Sequence, residues 1–159
     1  MPAEVNSKIK RRERLTRYAP LFVWIGVIFF LSSGQASMSE TSRFIRPLLE
    51  YFFPSALPET LTVFHGYIRK FAHFAEYAVV GLFAARAFST SSIEFLKKYW
   101  FIFSLALVVS IAGLDEFNQS IGSSRTGSPW DVLLDFIGGA AAISFYYLIR
   151  RVWHDPRRH

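Results

Sequence analysis

The chain has 159 residues, a formal charge of +6 and no cysteine. The length suits one domain, and the absence of cysteine excludes a disulfide framework, a thiolate nucleophile and a thiolate-bound metal. Apolar residues make up 52% and charged residues 19%. Charged ends and loops therefore dilute strongly apolar segments to a mean hydropathy of only +0.25. The basic residues cluster beside those segments, where membrane topology explains them. No RNA- or DNA-reading motif is present, so nucleic acid is not expected as a partner.

Basic residues from Lys8 to Arg17 precede the apolar run Leu21–Leu31, the outline of a signal peptide. Ser32, Ser33, Gly34 and Gln35 follow instead of an A-x-A-like cleavage site, which predicts a retained first span over 18–33. Ser42–Phe53 then places Phe44, Ile45, Leu48, Leu49, Phe52 and Phe53 on one helical face, with Arg43, Arg46 and Glu50 elsewhere. This pattern predicts a short amphipathic helix, lying in the outer interface or packing over the bundle. Pro47 within its first turns works against it. Pro58-Glu59 reads as a helix start, continuing unbroken into a second span at about 71–88. The third span, Tyr99–Leu114, is β-branched and aromatic, yet in lipid it must be helical to satisfy its backbone. The fourth runs over 130–152. All four approach the roughly 20 residues that cross a bilayer.

Thirteen of the 18 lysines and arginines lie in the N-terminal tail, the second connection and the C-terminal tail. The positive-inside rule then puts both termini in the cytoplasm. The expected architecture is all-α: a four-helix transmembrane bundle with a short amphipathic interfacial helix between its first two spans. Residues 1–17 form a basic cytoplasmic tail, 18–152 the four-span domain and 153–159 a second cytoplasmic tail. The expected location is a plasma membrane, with the first and third connections extracytoplasmic.

Ionisable groups inside hydrocarbon are costly and mark candidate sites. At about 100° per residue, His65, Arg69, His73 and Glu76 fall within an arc of roughly 80°, with Lys70 and Tyr77 at its edge. Asp115, Glu116 and Gln119 share an arc at the end of the third span. Asp131 and Asp135 lead a stripe on the fourth, followed by Gly138 and Ala142, whose small size permits close packing. The predicted topology brings all of these to the outer leaflet. Structural explanations exist for individual members. Arg69 and Lys70 can snorkel; Ser128-Pro129-Trp130-Asp131 reads as a capping box; Asp115 and Glu116 can pair with Arg125 or Lys70, and buried pairs are weak signs of function. The concentration of so many at one level favours a functional site over a structural network.

The ordered set Lys70-x-x-His73-x-x-x-Tyr77, Asp115-Glu116-x-x-Gln119, Arg125 and Asp131-x-x-x-Asp135-x-x-Gly138 resembles the VanZ-like family. Phe30-Leu31-Ser32-Ser33 is similar to that family's first-helix ending, and the resemblance covers about Phe22 to Gly139. The family usually carries Asn where this chain has Asp135, which adds an acid. The resemblance implies a small bacterial inner-membrane protein of the cell envelope. It also implies a link to antibiotic resistance, since the name-giving member is associated with reduced susceptibility to teicoplanin, a glycopeptide that targets peptidoglycan precursors. It implies no particular reaction, and family alone does not fix function.

Two readings of the cluster follow. In the first, it binds or acts on a lipid-linked or glycopeptide-type envelope molecule. Arg69, Lys70 and Arg125 hold a phosphate or carboxylate, with Tyr77, Gln119, Asp131 and Asp135 lining the site. Glu76, Asp115 or Glu116 serves as general base and His73 as acid or proton shuttle, in a transferase or hydrolase. In the second, the protein binds or shields without turnover and the cluster is an ion-pair network. Membrane lipid is the expected partner either way, and oligomeric state stays open. A divalent metal is a weaker reading. His65, His73, Glu76, Asp115, Glu116 and Asp135 are suitable ligands, but His65 and His73 lack the i, i+4 spacing of paired ligands, so neither a metal nor another cofactor is expected. No G-x-S-x-G nucleophile is present, and no ionisable relay crosses the inner halves of the spans.

Overall fold

The computed structural model describes residues 2–32, 38–121 and 129–153. Among the described residues six helices follow one another: α1 (Pro2–Phe30), α2 (Met38–Phe52), α3 (Pro58–Ser89), α4 (Glu94–Lys98), α5 (Trp100–Ile121) and α6 (Pro129–Trp153). Among the described residues there is no strand, in accord with the all-α expectation. Two helices among the described residues are long and apolar enough to cross a membrane, α5 over Trp100–Ser120 and α6 over Pro129–Trp153. Only 33% and 22% of their apolar windows are buried. Most of their hydrophobic surface therefore faces outward, unlike the core helix of a soluble protein. That surface includes Ile102, Val109, Leu114, Phe145 and Leu148.

The long α3 is the central element and touches every other helix, α6 most extensively. It begins as expected with Pro58 in its first turn and Glu59 near the positive end of the helix dipole, and it runs unbroken past the cluster. Contacts along its length give the helix directions. On α1, Tyr18 Oη meets Ser91 Oγ at 2.8 Å, and Trp24 Nε1 donates to the Glu76 carbonyl at 3.0 Å. On α5, Phe88 stacks edge-on against Phe103, and Tyr77 reaches Asp115. These two helices therefore run antiparallel to α3. On α6, Gly138 lies against Phe74, Gly139 against Gly81, and Tyr146 Oη meets Ser89 Oγ at 3.1 Å, so α6 runs parallel to it.

Glycine makes the α3–α6 contact. A Cβ on Gly81 would collide with the carbonyl oxygen of Gly139, and one on Gly138 with the carbonyl oxygen of Phe74. The backbones approach closely because neither position carries a side chain. Buried Ala84, Ala85 and Ala87 continue the small-residue lining of α3, and Val80, Val108, Ile111, Ala112 and Ile143 fill the core.

The amphipathic helix between the first two long helices forms as predicted, and α2 runs through Pro47. Only Leu49 on its apolar face is buried; Phe44, Leu48, Phe52 and Phe53 stay exposed. Arg46 pairs with Glu50 at 2.9 Å on the solvent side. The helix thus touches α3 through a narrow seam and leaves most of its apolar face uncovered by the bundle.

Candidate functional site

The predicted polar residues come together where α5 ends and α6 begins, beside the middle of α3. Asp115 is 1% exposed and Asp135 2%, the most deeply buried charged groups described. Asp115 is held by two donors. Tyr77, fully buried on α3, donates its hydroxyl to Oδ2 at 3.2 Å. Gln119, one turn on along α5, donates its amide to the same oxygen at 3.0 Å. Gln119 also reaches Ser32 Oγ just past the end of α1 at 3.5 Å, so three segments meet on this carboxylate or its neighbour.

His73 faces the other side of the same space. Its Nδ1 lies 3.8 Å from Glu76 Oε2 and 4.0 Å from Asp135 Oδ1, too far for a hydrogen bond. Nδ1 of His73, Oδ1 of Asp115 and Oδ1 of Asp135 are all buried without a hydrogen-bond partner among the described residues. One ligand-capable atom from each of the three residues lies within 4.8 Å of the others. Buried polar groups are almost always paired, so three unsatisfied atoms in one place need an explanation.

Arg69 forms the rim above. It is partly buried and lies within electrostatic reach of Asp131, Glu116 and Glu76. Burial lowers its pKa, and those three carboxylates oppose the shift; an arginine remains charged regardless. His65, a turn higher on α3, is buried, and its pKa is lowered by burial and then by the charge of Arg69.

Most predicted site residues are brought together: Arg69, His73, Glu76, Tyr77, Asp115, Glu116, Gln119, Asp131 and Asp135. Lys70 is exposed and is not brought into this buried group; it lies about 10 Å nearer the start of α3 than Tyr77, which shares its side of the helix. Arg125 and the cap residue Ser128 lie outside the described residues. Two members were missed as site elements. Trp24, read as part of an apolar span, donates to the backbone of Glu76, and Ser32 touches Gln119. An indole within a span is the only sequence signal for the first.

The metal reading also changes. Spacing along one helix gave no ligand pair, whereas the structure groups His73 with Asp115 and Asp135 from three helices.

No curated protein and no solved structure matches the chain. The family profile described as VanZ/LLP1 matches residues 18–150, which takes in every helix that builds the site. With the helical fold, the two membrane-compatible helices and this match over most of its length, the chain belongs to the VanZ/LLP1 family.

Proposed function

We propose that the protein is a four-span bacterial inner-membrane protein with cytoplasmic termini, and that its buried polar cluster binds the head group of a lipid-linked envelope molecule at the outer leaflet. The observation that carries this reading is the convergence of three unsatisfied buried atoms, on His73, Asp115 and Asp135, inside an otherwise apolar bundle. Evolution of a merely structural network would leave its buried atoms paired.

The four-span arrangement is supported by the directions of the helices. α1 and α3 run alongside α5 and α6, from Tyr18 and Ser91 at one end to Ser32 and Gln119 at the other. If α5 and α6 cross a bilayer, α1 and α3 lie in the same slab. The polar face of α3 keeps its overall hydropathy low and is turned inward, onto α5 and α6. Basic residues beside the opposite end, among them Arg86, Lys97, Lys98, Arg150 and Arg151, support an outward-facing cluster by the positive-inside rule.

Arg69 is the group suited to a phosphate or carboxylate. In a transferase or hydrolase, Glu76, Asp115 or Glu116 is the candidate base and His73 the candidate proton carrier. A second reading, a structural network, is favoured at one point only: Asp115 Oδ2 is fully used by Tyr77 and Gln119. The site therefore has a structural half and an open half.

The test has two arms. In intact cells, a membrane-impermeant maleimide should label Asn118→Cys, exposed near the end of α5, and not Ser92→Cys, exposed before α4. In nanodiscs, the protein should bind a polyprenyl phosphate, and Arg69→Gln or His73→Ala should weaken binding about tenfold, roughly 1.4 kcal/mol. Reversed labelling, or wild-type protein that does not bind the lipid, would sink the reading.

A further inference from the structure

We infer that His73, Asp115 and Asp135 form a binding site for one divalent first-row cation, Mn2+ or Zn2+, at the base of the head-group site. This deepens the proposed function and rests on it for its biological purpose. The cation site itself stands on geometry alone.

Three observations support it. First, the open atoms are the right ones. Asp115 Oδ1 and Asp135 Oδ1 belong to side chains 1% and 2% exposed, and they converge with His73 Nδ1, all three without a hydrogen-bond partner among the described residues. One imidazole nitrogen and two carboxylate oxygens, with no thiolate in the chain, make a set suited to Mn2+ or Zn2+.

Second, the spacing fits. Ligand atoms about 2.0–2.2 Å from a common ion stand about 3.0–3.4 Å from one another. One ligand-capable atom from each of the three residues lies within 4.8 Å of the others, and Nδ1 and Asp135 Oδ1 are 4.0 Å apart. Side-chain rotation on fixed helices closes that difference. The three residues come from α3, α5 and α6, so the ion would pin the bundle at this level.

Third, Asp115 is already oriented as a ligand. Tyr77 and Gln119 hold Oδ2 and leave Oδ1 turned inward. Outer partners of this kind are characteristic of metal-bound carboxylates.

Charge supplies the reason for an ion. Glu76, Glu116 and Asp131 lie within electrostatic reach of the buried aspartates or of Arg69, and Arg69 is the basic side chain among the described residues that acts on this group; Lys70 is exposed. An anionic head group approaching so many carboxylates is repelled. A divalent cation between them reverses the local field and leaves coordination positions for a phosphate oxygen. The competing occupants of the space are a proton shared by the two carboxylates or a bridging water.

The experiment uses the full-length protein in nanodiscs, stripped with a chelator and then dialysed. Mn2+ binding is followed by loss of the free-ion electron paramagnetic resonance signal, and Zn2+ binding by calorimetry. The expected result is one saturable ion per chain, with Asp135→Asn and His73→Gln each lowering affinity tenfold or more. Asp135→Asn should still fold, because it keeps the side chain's shape and its buried Oδ1 has no hydrogen-bond partner among the described residues to lose; the wild-type titration is informative even if it does not. Absence of saturable binding, or equal affinity in wild type and both variants, overturns the inference in favour of a proton or water. The polyprenyl phosphate separates the two claims. Lipid binding by protein that takes up no metal overturns the cation site and leaves the head-group reading standing. Metal uptake with no lipid binding supports the cation site and removes the head-group reading.

Discussion

Replacing Gly138 with leucine should dismantle the site without altering a single polar group. Its side chain would have to occupy the space of the Phe74 carbonyl oxygen, and a backbone atom in a helix cannot step aside as a side-chain tip can. The helices must separate, which costs about 3 kcal/mol or more by comparison with overpacked cores. Because Phe74 is next to His73, the separation acts at the level of the cluster. Gly139 makes the useful contrast. A Cβ there meets only the Val108 side chain among its nearest neighbours. Gly139→Ala should therefore destabilise less, and Val108→Ala should partly rescue it. The same Val108→Ala change should do nothing for Gly138→Leu. Thermal unfolding in detergent, read by tryptophan fluorescence, measures all four proteins. Equal rescue of both glycine variants would mean that the close backbone approach of α3 and α6 is not what these glycines provide.

The second large effect separates two carboxylates of equal burial. Asp115→Ala strands the Tyr77 hydroxyl and the Gln119 amide, both buried. Each lost acceptor leaves a desolvated donor, so a loss of about 2–4 kcal/mol is expected. Asp135 has no hydrogen-bond partner among the described residues for its inward oxygen and sits near other acids. Asp135→Asn removes an uncompensated buried charge and should be neutral or stabilising by about 1 kcal/mol in metal-free protein. Chemical denaturation of the two variants in the same detergent tests this. If Asp135→Asn unfolds the protein as readily as Asp115→Ala, the cluster is one interlocked structural network with no open half.

Much of this arrangement is legible in the sequence, for a specific reason. In an apolar segment every ionisable residue stands out, and the 3.6-residue period assigns it to a face. His65, Arg69, His73 and Glu76 are recognisable as one stripe on that basis, and the helix start at Pro58 follows from cap chemistry. The helix predicted over 42–53 continues through Pro47 well inside Met38–Phe52, where a proline forgoes a backbone bond, so the amphipathic pattern prevails over a residue that works against helix.

What the sequence leaves open is everything that depends on how helices meet. Tyr77 falls at the edge of the stripe by angle, yet it becomes the fully buried donor to Asp115 once α5 is set against α3. Lys70 has nearly the same claim by angle, since seven residues are close to two full turns, yet it is exposed. It lies about 10 Å further toward the start of α3, and no periodicity argument tells where along α3 the neighbouring helices stop. The selection of His73, Asp115 and Asp135 from the six suitable ligands is left open for a related reason. Motif spacings describe ligands on one element, and these three come from three. Gly138 and Gly139 read as a packing notch in general terms, but their partners, Phe74 and Val108, are known only from the fold.

The account depends on the imidazole of His73 and the carboxylates of Asp115 and Asp135 sharing one enclosed space. Solid-state NMR of the protein in lipid bilayers, with 15N-labelled histidine and 13C-labelled aspartate, measures this directly. The account predicts short-range nitrogen–carbon contacts from the His73 ring to both aspartate carboxyls, consistent with ligand-capable atoms within 4.8 Å of one another, and little contact from that ring to lipid acyl chains. Absence of both aspartate contacts, with strong transfer from lipid to the His73 ring, would contradict it.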